Sequence, residues 1–329
     1  MGENGFGGYT RPTFAPLVSD RPTVLVVGAA SRDVTADDPR GWRLGGGVTY
    51  SALALGRLGF RVRALIGVDA EAASARELDL LRSAGVVITL VELASGPIFD
   101  NVRRWCLATS DPMPVASIPR HWTSGNDALL LAPVADEVDE RWAELGGPTV
   151  ALAWQGLLRD LEPGREIARR APRPNALLRG ARLVGVSRED LAPGTAPADL
   201  ADLLQPGGTL AVTDGDRGGT LLRAVDGAAP ALARTYPAIP SDGTVDPTGA
   251  GDVFLAGMLG TMVQPSLLDG LDDPTTLAAA AASLTVEAPG LLGVPDLAEV
   301  RRRAARAPSR ANRIPSATSS RGNGRPSQA

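Results

Sequence analysis

Short, uninterrupted apolar runs recur along this chain, each leading into a glycine-rich or polar loop. Thr23-Val-Leu-Val-Val27 is the first; Ala128-Leu-Leu-Leu-Ala132, Thr149–Ala153, Arg182-Leu-Val-Gly-Val186 and Thr209-Leu-Ala-Val-Thr213 repeat the pattern. A strand with one wet face alternates apolar and polar residues, so unbroken runs mark strands covered on both faces. Two more strands, Arg61–Ile66 and Val86–Val91, flank an amphipathic helix expected from about Glu71 to Ala84. A further helix is expected from Asp136 to Leu145, and two late ones at about Pro274–Glu287 and Asp296–Ala305. This alternation predicts an α/β fold: a Rossmann-like, doubly wound, mainly parallel sheet flanked by helices. The 329 residues suit one domain, read as residues 21–306, between a disordered arm at 1–20 and a disordered basic tail at 307–329.

One stretch departs from the rhythm. Residues 95–122 carry Pro97, Pro112, Pro114 and Pro119 between short runs such as Ile98–Leu107, which suits a β-hairpin flap better than another strand–helix unit. The other conspicuous stretch is Asp246-Pro-Thr-Gly-Ala-Gly-Asp252, followed by an apolar run. A helix opening at Gly249 leaves its first N–H groups without intrahelical partners, and with the helix dipole they make a site for an anion. Small residues let the anion approach, and Asp252 adds a carboxylate able to take a proton from a hydroxyl. On these residues alone a plain helix cap and a catalytic site both remain open.

Composition narrows the chemistry. All 33 basic residues are arginine, so a Walker-type phosphate loop, a Schiff-base enzyme and a covalent pyridoxal phosphate enzyme are excluded for want of lysine. A single cysteine, Cys106, removes disulfide frameworks and cysteine-cluster zinc sites. A single histidine, His121, in a polar loop, argues against a Ser-His-Asp triad or a histidine metal site. Carboxylates, arginines and backbone amides remain. Asp33 follows the first strand, where α/β proteins bind ligands, and is either a ligand carboxylate or a solvated loop acid. The net charge of −4 is uneven: residues 301–329 hold eight arginines and no acid, leaving the remainder near −12. With so few apolar residues that tail is expected to be disordered, and nucleic-acid binding is not expected. No run is long enough for a membrane helix, and the N-terminal residues lack the order of a signal peptide, so a cytoplasmic location is expected.

Three landmarks then stand in a fixed order: the Gly45-Gly-Gly47 helix ending in Arg57-Leu-Gly59, the segment Val212-Thr-Asp-Gly-Asp-Arg-Gly-Gly219, and Asp246-Pro-Thr-Gly-Ala-Gly-Asp-Val-Phe-Leu-Ala-Gly-Met-Leu259. Together they resemble the PfkB/ribokinase-like carbohydrate kinases over about residues 22–300. The resemblance implies a small β-sheet lid, here from about 33–46 and 95–122, and transfer of the γ-phosphoryl group of ATP, with Mg²⁺, to a hydroxyl of a sugar or polyol. It implies Asp252 as the base and the amides of Gly249, Ala250 and Gly251 as the anion hole, which need no lysine. It places Ser187, Thr213, Gly215 and Gly218 on the nucleotide, and Asp33, Gly46 and Gly47 on substrate hydroxyls.

Departures from the family pattern carry their own expectations. The family's Asn-x-x-Glu, which organises Mg²⁺ and phosphate, is replaced by Ser187 and Asp190, so metal handling is expected to be weakened or water-mediated, with Asp190 as the remaining metal carboxylate. Tyr50 replaces an asparagine and is expected to bear on specificity. Phe99-Asp-Asn101 and Gln155-Gly-Leu-Leu-Arg159 are similar to the myo-inositol kinase-like branch, which adds Asn101 and Arg159 to the substrate side and makes an inositol-like acceptor the leading expectation. Arg159 remains either a phosphate or substrate contact or a surface arginine. A nucleoside or amino-sugar kinase, or a non-catalytic nucleotide- or sugar-binding member, are the alternatives. A homodimer through the lid would use Ile98, Val102 and Leu107.

Overall fold

The computed structural model describes residues 21–145, 148–225, 232–271 and 273–306; the expected arm and basic tail lie outside the described residues. The order is β1 (Thr23–Ala29), β2 (Arg32–Val34), β3 (Trp42–Leu44), α1 (Gly47–Arg57), β4 (Arg61–Val68), α2 (Leu78–Ser83) and β5 (Val87–Glu92). Then come β6 (Ile98–Asp100), β7 (Trp105–Ala108), β8 (Ala128–Leu131), β9 (Thr149–Ala153), β10 (Arg159–Asp160), β11 (Arg165–Glu166), β12 (Ala168–Arg169) and α3 (Ala176–Gly180). The rest is β13 (Leu183–Ser187), α4 (Pro197–Ala201), β14 (Thr209–Thr213), β15 (Gly219–Arg223), β16 (Leu232–Tyr236), α5 (Ala250–Val263), α6 (Pro274–Thr285) and α7 (Leu297–Ala304).

Nine strands form one sheet in the order β16-β15-β14-β13-β9-β8-β1-β4-β5. From β14 to β5 every neighbour is parallel, and β15 and β16 close the far edge antiparallel. The unbroken apolar runs are explained by this burial. Along β1, Val24 and Val26 enter the core beneath α1, α5 and α6, while Leu25 and Val27 enter the core on the opposite face with Trp142, Leu177 and Leu178. A separate five-stranded sheet, β11-β7-β6-β2-β3, forms the lid. The predicted architecture is the one observed.

Three local expectations come out differently. The helix expected over 71–84 is two pieces, a 3₁₀ turn at Ala72–Ser74 and α2. Asp69 caps the first piece through the Ala72 amide, and the extended backbone of Ala75 (φ −67°, ψ 127°) ends it. The helix expected over 136–145 is only a 3₁₀ turn, Glu140–Glu144. There the buried Glu137 carboxylate accepts from the amides of Ala29, Val134 and Ala135, and Asp136 adopts φ 62°, so the segment is wound around an acid instead of a helix axis. In the flap, residues 98–108 form lid strands, but Met113, Ile118 and Trp122 pack into the core of the body, and the lid recruits Arg165–Glu166 instead. No helix among the described residues is long and apolar enough to cross a membrane.

Candidate active site

The carboxyl ends of β1, β9, β13 and β14 open onto one edge of the sheet, the place where parallel α/β sheets bind ligands. Helix α5 starts at that edge. Gly249 is its N-cap in the left-handed region (φ 81°), and Tyr50 explains why no larger residue fits, because its ring occupies the space where a Cβ on Gly249 would go. Gly251 faces open space, so the first-turn amides remain approachable. Ala250 makes only a long bond, 3.4 Å, to the Pro247 carbonyl.

Asp252 lies in that first turn and also against the start of α1. A Cβ on Gly47 would stand 2.8 Å from its Oδ1, so the carboxylate rests directly on the first residue of a second helix. Two helix N-termini therefore converge on one acid. Burial raises its pKa to about 7; the carboxylates of Asp190 and Asp33 push the same way, against the Arg159 guanidinium. An acid poised near neutrality is ionised often enough to accept a proton and basic enough to hold it.

Asp33, on β2, faces the same space. Its carboxylate accepts from Ser31 Oγ at 2.8 Å, and Gly45 is required because any Cβ there would run into it. Burial, opposed by the Ser31 bond, raises the Asp33 pKa to about 6; Asp246 adds to the rise, while Arg159 and a side-chain hydrogen bond from Asn101 lower it. Asn101 thus reaches Asp33 from an exposed position on the lid. Gly46, the N-cap of α1 at φ 95°, packs against the end of β1, where a Cβ would approach the Ala29 carbonyl to 2.6 Å. Each of the three consecutive glycines has its own reason: Gly45 seats Asp33, Gly46 turns the backbone and Gly47 seats Asp252.

Arg159, which begins β10, stands among the acids. It lies 3.5 Å from Asp190 and over the Phe99 ring, and the charges of Asp252 and Asp33 act on it. Its side chain is 18% exposed, and burial lowers its pKa. The surface-arginine alternative does not describe its place. Asp190 is also held by Gln155, whose Nε2 donates to both carboxylate oxygens at 3.2 and 3.3 Å.

That arrangement bears on metal and nucleotide. No group of three or more potential ligand side chains gathers among the described residues. Mg²⁺ in phosphoryl-transfer sites keeps most of its waters and takes one or two carboxylates plus substrate phosphates, a demand that Asp190 alone can meet. Ser187 caps the 3₁₀ turn Arg188–Asp190, its Oγ accepting from the Glu189 amide at 3.2 Å. Thr213 ends β14 at the same edge, and Gly215 opens the 3₁₀ turn that follows it. Gly218 is buried, and a Cβ there would collide with the backbone of residues 236–238, so it shapes the loop and does not face outward. Tyr50 is 2% exposed behind the Gly249 turn, with its phenol pushed well above the usual range by burial.

Three further residues have evident contacts. Gly45 and Gln155 stood in motifs visible in the sequence but were not named as site residues; Arg43 had no signal, because its partner is distant in the chain.

Residues 171–296 match the model of the pfkB family carbohydrate kinases. Over that span the chain is similar to the pfkB family carbohydrate kinases. Solved structures share the fold across most of the chain. One is a pyrophosphate-dependent kinase in the ribokinase family complexed with a pyrophosphate analog and myo-inositol, with a TM-score of 0.67 and 18% identity over 85% of this chain and 99% of that one. Another is Arabidopsis thaliana ribokinase complexed with ribose and ATP, with a TM-score of 0.59 and 18% identity over 86% and 99%. A third is the nucleoside kinase of Methanocaldococcus jannaschii, with a TM-score of 0.58 and 16% identity over 87% and 98%. No curated protein matches the chain in sequence.

Proposed function

We propose that the protein phosphorylates a hydroxyl of a sugar or polyol, with an inositol-like cyclitol as the leading acceptor. The observation that carries this is Asp252, an acid with a pKa of about 7 lying beside the approachable first-turn amides of α5 and facing the substrate-side acid Asp33. Asp252 takes the proton of the acceptor hydroxyl as its oxygen attacks the terminal phosphorus of the donor. The bond from that phosphorus to the leaving phosphate oxygen breaks, and the amides of Gly249, Ala250 and Gly251 hold the charge on the transferring oxygens. Asp33, Asn101 and Arg159 orient the acceptor, with Tyr50 shaping the turn behind it. Thr213, Gly215 and Ser187 lie on the donor side. Bound Mg²⁺ would neutralise donor phosphates, with Asp190 the carboxylate nearest that role.

ATP is the first expectation for the donor, as the family uses it. Inorganic pyrophosphate is the second. Supporting it are the solved structure with a pyrophosphate analog and the corner where Asp190 is tied to Arg159 and Gln155. A cytoplasmic location and a homodimer through the lid belong to the same proposal.

A donor-consumption screen of polyols, hexoses, pentoses and nucleosides, run in parallel with ATP and pyrophosphate, tests it. Asp252→Asn is the blank and should lower turnover by about 10²–10⁴-fold while the protein stays folded. Full turnover in that variant would remove Asp252 as the base. Nucleotide or pyrophosphate binding without turnover on any acceptor would instead favour a non-catalytic binding protein.

A further inference from the structure

The hairpin that carries Asp33 and the turn that carries the anion hole are joined by one side chain without a part in the scheme above. Arg43 lies on β3 directly opposite Asp33 on β2. Its guanidinium leaves the lid: Nη1 donates to Asp246 Oδ2 at 3.3 Å and Nη2 to Thr35 Oγ1 at 3.3 Å. Its other acidic neighbour, Asp37 at 3.7 Å, is 84% exposed and well solvated.

Asp246 opens the Asp246–Asp252 turn and holds it together. Its Oδ1 accepts the Thr248 amide at 3.0 Å, and its Oδ2 accepts the Gly290 amide at 2.9 Å. The carboxylate is 16% exposed, and Arg43 is its one cationic partner among the described residues. Its charge is felt across the site, raising the pKa of Asp33 and of Tyr50. An uncompensated carboxylate there would oppose any phosphate arriving at Gly249–Gly251, because poorly solvated charges are weakly screened.

We infer that Arg43 is a positioning residue that makes anion binding at Gly249–Gly251 depend on a docked lid; the inference rests on the reading of those amides as the anion hole. With the hairpin down, Arg43 cancels the Asp246 charge and clamps the base of the turn. With the hairpin lifted, Asp246 stands alone and the turn loses one of its ties. Arg32, paired with Asp69 and Glu71, and Arg40, paired with Asp38 and Glu77, also secure the hairpin, but to the α2 side, away from the turn. Acceptor contacts at Asp33 and donor contacts at Gly249–Gly251 are thereby linked through a single cross-strand pair. The arrangement holds the donor firmly only when the acceptor side is closed, which limits its loss to water.

The test uses the full chain with Arg43→Met, which keeps length without charge, and Arg43→Lys, which keeps charge without the fork. Titration calorimetry with inorganic pyrophosphate and with sulfate reads the anion hole, and hydrogen exchange of residues 246–252 reads the turn without any ligand. Arg43→Met should weaken pyrophosphate at least tenfold and speed exchange across the turn at least tenfold. Arg43→Lys should bind within about threefold of wild type. Equal binding by wild type and Arg43→Met overturns the coupling alone. Loss in both variants, with unchanged exchange in the turn, overturns the charge role in favour of plain packing. A wild-type protein that binds neither anion overturns the anion-hole reading, and the coupling with it.

Discussion

At the scale of single residues the site depends on where a Cβ is missing. Gly47→Ala would bring a methyl group to 2.8 Å from Asp252 Oδ1, so the carboxylate must move away from its seat. Steady-state kinetics should show kcat reduced by about 10²-fold, the usual cost of misplacing a reacting group by an ångström or so, with the unfolding midpoint little changed. The pH profile belongs here too. As the proposed base, Asp252 must be ionised to act, so kcat/KM should fall on the acid side with an apparent pKa of about 7. Stability runs the other way. The folded-state pKa values of Asp33 and Asp252, about 6 and about 7, lie above the ordinary carboxylate value of 3.8, so between pH 4 and 7 the folded state holds more protons. Both groups therefore cost stability as pH rises through that window. Asp252→Asn should be more stable than wild type at pH 8, by on the order of 1–2 kcal/mol after allowing for partial exposure, as measured by denaturant unfolding. A variant less stable at pH 8 than at pH 5 relative to wild type would contradict the burial of that charge.

At the scale of elements, α5 organises the molecule. It is apolar all round, with Val253 to Thr261 buried, which suits a helix enclosed between the sheet, α1 and α6. Its contact with α6 is made close by Gly257, where a Cβ would meet the Ala278 Cα at 3.1 Å. Gly257→Val should destabilise the protein by about 1–3 kcal/mol with the denaturant m-value unchanged, since the backbones cannot separate without disturbing the site turn at the other end of the helix. Strands were more legible in the sequence than helices. Thr149–Ala153 and Thr209–Thr213 have the expected ends because burial on both faces leaves an unbroken apolar run. The helices expected at 71–84 and 136–145 had helical periodicity. Asp69, however, takes the Ala72 amide, and Glu137 is drawn to the amides of Ala29, Val134 and Ala135; a bond between distant segments such as Glu137 with Ala29 leaves no periodic trace. The same holds for the site: Asp252 and the glycines stand in contiguous motifs, whereas the Gln155–Asp190 and Arg43–Asp246 contacts exist only once the chain has folded.

At the scale of the whole molecule, the lid sheet is two-faced. One side buries Phe99 and Cys106 and turns Asp33 to the site; Trp105 and Leu107 alternate with Cys106, and together with Val34 they are exposed. Of the residues expected at a dimer contact, Val102 is 92% exposed and Leu107 is exposed, while Ile98 is only half-buried. Sedimentation should find a mass near twice 33.9 kDa, and Trp105→Glu should return it to one chain. A single-chain mass for the wild-type protein would confine the lid to covering its own site. The glycine triplet has a consequence for any attempt to redirect this protein. Because Gly45 and Gly47 fix the seats of Asp33 and Asp252 through main chain alone, under the proposed roles the distance from the hydroxyls gripped to the hydroxyl that reacts is a built-in gauge. New acceptors of the same span can be sought by changing Asn101 or Arg159; acceptors of a different span would require a different backbone.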